Sequence, residues 1–265
     1  TVHWAWGGVT NGTLVSLQQA VNGVDFTTFA SNLAVETGSY PWDVSGLPLT
    51  TFGKWRVICQ ECGAGDENNS PLTIKNQSLT VYINDTNQVG DVFSLGPGAV
   101  TNSGVSPDSP LLSPEVALQK FDLTADDVVY IDTGIYPLTN ALGLAVGLAG
   151  NVFETGSTGQ PIRIIGSPDR TNGGTRIIGM PISTGACMTI RQARYVEVEN
   201  LALEGSGHGI YLEGAAVIGL SDMRIYSNLV NGIYSVSTRD VTVRRSEVWA
   251  NGYYGVAADI LPASI

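Results

Sequence analysis

The 265-residue sequence predicts an all-β chain: a small antiparallel β-sandwich over residues 1–85, then a parallel β-solenoid over residues 86–265. Three observations predict it. Gly209-Ile210-Tyr211, Gly232-Ile233-Tyr234 and Gly255-Val256-Ala257 recur at 23-residue intervals, as stacked structural repeats do. Within each interval apolar residues alternate with polar ones, the period of a strand with one buried face. Charge also steps along the chain. Residues 1–162 hold 15 acids and four bases, whereas residues 163–265 hold nine acids and nine arginines.

The first part reads as short strands between turns. Val2, Trp4 and Trp6 alternate, and Gly7-Gly8 and Asn11-Gly12 are turn signals. Further strand patterns run over 13–17, 26–29, 38–47, 53–58 and 78–83. Strands at this spacing suit a small sandwich. The segments around Tyr40-Pro41-Trp42, Trp55-Arg56-Val57 and Val81-Tyr82-Ile83 resemble an immunoglobulin-like module of large bacterial surface proteins. The resemblance implies a spacer role. Because the alternation is already running at Val2, it also implies a module short of one strand. Cys59 and Cys62 form a single C-x-x-C, which reads as a local disulfide or two idle thiols; Cys187 stands alone.

Polar residues 84–91 mark the joint. A short helix near 113–122 follows, with Ser113 as N-cap, Pro114 at its first position and Val116, Leu118 and Phe121 as its apolar side. Asp126-Asp127-Val128-Val129-Tyr130-Ile131 is a strand, and Thr133-Gly134-Ile135-Tyr136 turns into the next. This order resembles the opening of right-handed parallel β-helices of the pectate-lyase-like superfamily. The resemblance implies that the helix covers the solenoid's first coil, whose apolar cross-section and strand edges need a cover.

The repeat then supplies three short strands per coil. Ile218/Leu220 match Val241/Val243, and Met223/Ile225 match Ser246/Val248, 23 residues on; Val196/Val198 and Leu201/Leu203 precede the first members by 22. A leucine-rich repeat would need its Leu-x-x-Leu-x-Leu pattern, which is absent, and the alternation excludes a helical solenoid. Earlier coils are irregular, with a strand and a protruding loop expected within 137–160. The pattern runs to Ala257 without a polar cap, which predicts a solenoid cut short at its C-terminal end.

Function is less legible. A net charge of −11 excludes a nucleic-acid surface, and no apolar run reaches a membrane span. The resemblance implies chemistry on acidic polysaccharides: lyases with a calcium-binding acidic cluster and an arginine base, hydrolases with several Asp and a Gly-His-Gly, epimerases with Asp-Pro-His-Asp. Gly207-His208-Gly209 is present without its acidic companions, and Asp-Pro-His-Asp is absent. Asp222 and Arg245, offset by 23, read as a cross-coil salt bridge or as a carboxylate and guanidinium beside a uronate. Tyr226 and Trp249 share one column, Tyr211 and Tyr234 another; stacked aromatics bind sugars or one another.

No catalytic residue is assigned, with His208, Asp222 and Arg245 as the alternative candidates. Tyr211, Tyr234, Tyr226 and Trp249 are the ligand-binding candidates. No metal or cofactor is assigned. Calcium has two candidate turns, 66–69 and 85–91, which lack the EF-hand spacing and read as solvated. The main expectation is a non-enzymatic structural or adhesive segment of a large extracellular or cell-surface protein. Its partners would be copies of itself, further modules of the same chain, or a polysaccharide. The alternative is a polysaccharide lyase, epimerase or hydrolase with its site on the β-helix face.

Overall fold

A computed structural model describes residues 1–8, 10–48, 50–69, 72–74, 77–141, 143–147 and 154–259. The chain divides into two compact units, Thr1–Gln77 and Ser78–Ile265. The boundary falls earlier than the sequence suggests. Thr80–Ile83, read there as the last sandwich strand, pairs in parallel with Val128–Ile131 and belongs to the solenoid. Alternation of Val81 and Ile83 is the same in either setting, so pattern alone does not assign the strand.

The first unit is antiparallel. Thr27–Ala34, Leu14–Ala20, Thr50–Cys59 and Gly65–Glu67 lie side by side, and Leu72–Ile74 also pairs with Thr50–Cys59. Val2–His3 pairs separately with Ser39–Tyr40. Val15, Leu17 and Ala20 are buried in the core with Val35 and Ile74. Trp4 Nε1 donates to the Val35 carbonyl at 2.9 Å. Cys59 and Cys62 are bonded to each other.

The second unit is a stack of coils with three parallel sheets. The first sheet runs Thr80–Ile83, Val128–Ile131, Ile162–Gly166, Arg194–Glu199, Ala216–Ser221, Arg239–Arg244. The second runs Gly134–Pro137, Thr175–Ile178, Leu201–Glu204, Arg224–Tyr226, Glu247–Trp249. The third runs Leu144–Gly147, Ala186–Arg191, His208–Glu213, Asn231–Val236, Tyr254–Asp259. Residues expected in one column are register partners, such as Ile210 with Ile233 and Ile233 with Val256. The core is a column of Ile, Leu, Val and Met; Ile164, Val198, Leu203 and Met188 are fully buried.

Asn228 and Asn251 stack inside the corner between second and third sheets. Asn228 Oδ1 accepts from Ser206 N, and Asn228 Nδ2 donates to Asn251 Oδ1 at 3.0 Å and to the Leu203 and Tyr226 carbonyls. The backbone groups that a tight turn buries are thereby paired.

The helix is Pro114–Lys120, packed on Thr80–Ile83 and Leu144–Gly147 at the start of the stack. Its buried side is Pro114, Glu115, Ala117 and then Phe121, whereas Val116 is 37% exposed. Glu115 replaces the expected apolar contact because its carboxylate accepts from Thr139 N and Asn140 N and Nδ2. Part of the loop expected within 137–160 lies outside the described residues.

Candidate functional site

A concavity of about 820 Å³ lies on the outer surface of the first sheet. Two cross-coil rows pave it. Arg163, Glu197, Gly219 and Thr242 are successive register partners; Glu199, Ser221 and Arg244 form the row beside them. The depression exists because Gly219 and Ser221 are small. A Cβ on Gly219 would meet only Glu197 Cγ, at 3.4 Å, so nothing else fills that space.

One wall is a column of left-handed residues repeated on three coils. Tyr195, Val217 and Asp240 have φ of 53°, 57° and 56° and fall out of the pairing between Arg194/Ala216/Arg239 and Val196/Ile218/Val241. Left-handed backbone is costly for non-glycine residues, and for β-branched Val217 most of all. Each of these residues also lines the groove. The sequence gives no sign of this column, since Tyr, Val and Asp share no turn chemistry.

The charges are unevenly paired. Arg163 Nη2 reaches Glu199 Oε1 at 3.1 Å, and Arg163 Nε lies 3.6 Å from Glu197 Oε2. Arg245 Nη2 meets Asp222 Oδ2 at 2.7 Å. Among the described residues, no carboxylate lies within 4 Å of Arg244. Asp126 and Asp240 also line the groove.

Of the alternative catalytic candidates, Asp222 and Arg245 meet each other, whereas His208 lies on the third sheet. Asp222 and Arg245 sit at the turn between first and second sheets, on left-handed backbone with φ of 56° and 47°. Their hydrogen bonds hold the Asp222 carboxyl below its usual range and push the Arg245 guanidinium up. Both shifts oppose general acid–base work. His208 opens a third-sheet strand, 9% exposed, with burial lowering its pKa and Nδ1 lacking a partner. It stacks on Tyr234 at 5.0 Å and Tyr211 at 6.1 Å.

The aromatic columns form as ladders. Tyr226 and Trp249 stack at 4.5 Å with 17° between planes; Tyr211 and Tyr234 lie 5.7 Å apart. Neighbouring rings therefore cover each other's faces, which restricts sugar stacking to a ladder's free end. Tyr226 is further tied to Glu204 Oε1, which also holds Arg176 at 2.6 Å. The lyase resemblance implies calcium on an acidic cluster. Glu197 and Glu199 are both taken by Arg163, and among the described residues no group of three or more His, Cys, Asp and Glu is placed to hold a metal ion. The groove does not fit that metal.

No family model and no curated protein matches the sequence. Solved structures do. An alginate lyase from Paenibacillus sp. str. FPU-7 matches at 18% identity and TM-score 0.41, over 56% of this chain and 55% of that one. Pectate lyase Pel9A matches at 13% identity and TM-score 0.38, over 66% and 55%. The chain thus spans about half the length of each. The second unit is a parallel β-helix. Three parallel sheets with in-register coils establish it. No described helix is long and apolar enough to cross a membrane.

Proposed function

We propose that the chain is part of an extracellular, polysaccharide-active protein whose β-helix holds an acidic glycan in the first-sheet groove. The carrying observation is the groove itself, floored by Gly219 and Ser221, with no carboxylate within 4 Å of Arg244 among the described residues. Coils repeat about every 4.8 Å, on the order of one pyranose ring, so a chain lying along the stack would meet equivalent positions coil after coil. Arg244 would take a uronate carboxylate by paired N–H···O bonds. The Cys59–Cys62 bond supports an oxidising compartment.

A non-enzymatic structural or adhesive role is the second reading. It is favoured by one observation: Asp222 and Arg245 are engaged with each other and shifted away from proton transfer. Fold alone does not choose between the two.

Incubation with alginate, pectate and a neutral glycan separates them. The proposal expects binding of a polyuronate, with release of unsaturated uronates or new reducing ends. Binding without turnover selects the second reading. Absence of binding to every polymer rejects the groove as a glycan site.

A further inference from the structure

We propose a calcium site in the loop after the first solenoid strand, with Asn84 Oδ1, Asp91 Oδ1 and Ser94 Oγ as its side-chain ligands. These turns read as solvated in the sequence, but Asn84 is 0% exposed and Ser94 7%. Asn84 Nδ2 donates to Asp91 Oδ2 at 2.6 Å and to the Gly96 carbonyl at 3.0 Å. Both partners are acceptors, so the amide orientation is determined and Oδ1 faces elsewhere.

Asn84 Oδ1, Asp91 Oδ1 and Ser94 Oγ are each buried without a hydrogen-bond partner. They account for three of the seven such atoms among the described residues, and all lie within one loop. Leaving oxygens desolvated and unpaired is unfavourable, and a shared positive charge removes the penalty.

Among the described residues, Asp85, Asp91 and Asp132 enter no salt bridge, and Asp132 and Asp85 act on Asp91 with like charge. Asp132 is already saturated: its two oxygens accept from the backbone N–H of Val92, Phe93, Ser94 and Thr133 at 2.7–2.9 Å. It therefore shapes the loop that presents Asp91 and Ser94 and leaves the ion to them. An all-oxygen set suits a hard cation, with main-chain carbonyls and water completing the shell. The loop lies beside Thr80–Ile83, so the ion would close the start of the stack.

The test is thermal unfolding of the chelator-treated chain with calcium, magnesium or sodium chloride, plus calorimetric titration of calcium. The expected result is one ion bound and a Tm raised by calcium above both other salts. Asp91→Asn should weaken calcium binding at least tenfold. Ser94→Ala supplies a second readout, since it removes an unpaired hydroxyl. It should not destabilise the ion-free protein, yet should reduce the calcium-induced rise. An equal rise in wild type and both variants overturns the proposal. So does the absence of any calcium-specific rise, as expected if ordered water alone occupies the space.

Discussion

Arg245 grips Asp222 one coil earlier in the stack, with Nη2 2.7 Å from Oδ2 and Nε 3.0 Å from Oδ1. The Arg245 side chain is 67% exposed, so solvent and salt screen the pair. Arg245→Ala and Asp222→Asn are expected to leave the unfolding midpoint nearly unchanged, and any small effect should vanish in 1 M salt. If a polymer is turned over and Asp222→Asn abolishes the reaction, the pair is catalytic and its reading as a surface bridge fails.

Asn228 is a different case, because it is 2% exposed and each of its side-chain groups is bonded. Asn228→Ala would leave Ser206 N and the Leu203 and Tyr226 carbonyls short of a partner. The expected loss is about 2–5 kcal/mol, read from denaturant titration. A loss indistinguishable from that of an exposed substitution would show that the internal ladder does not hold the corner.

Glu154 sets a pH dependence. Its oxygens accept from Leu123 N at 3.2 Å and Gly147 N at 2.8 Å, but burial pushes its pKa from 4.5 to about 7, with Asp122 and Asp127 adding to the rise. Between those values the folded chain binds more protons than the unfolded one. This group's contribution to stability therefore falls as pH rises from 4.5 and levels off above 7. The size is about 3 kcal/mol at most. Glu154→Gln should flatten stability against pH across that window; an unchanged slope would place the titration elsewhere.

Trp249 is 43% exposed and stacks on Tyr226. Losing the stack costs about 0.5–1.5 kcal/mol beyond area burial, so Trp249→Ala should fold. If the free ring face takes a sugar, the substitution also weakens glycan binding. Unaltered affinity would leave the ladder a packing device.

The repeat was legible because inward residues of a solenoid keep a fixed interval and must be apolar. Ile210, Ile233 and Val256 align as the spacing requires. Other features leave no such trace. The left-handed column at Tyr195, Val217 and Asp240 is built from residues that share no turn-forming side chain. Thr80–Ile83 alternates as any half-buried strand does, so only its partner reveals its unit. The 84–96 loop is polar in composition yet folded inward by Asp132, a long-range contact that local reading does not foresee.

The first-sheet groove is proposed to hold an acidic glycan. Calorimetric titration of alginate and pectate oligomers into wild type, Gly219→Phe and Arg244→Ala tests it most directly. Gly219 has room at its Cβ, so Gly219→Phe should fold while filling the floor. A polyuronate should bind wild type, and each substitution should weaken it at least tenfold with unfolding midpoints preserved. Equal affinity in all three proteins would contradict it.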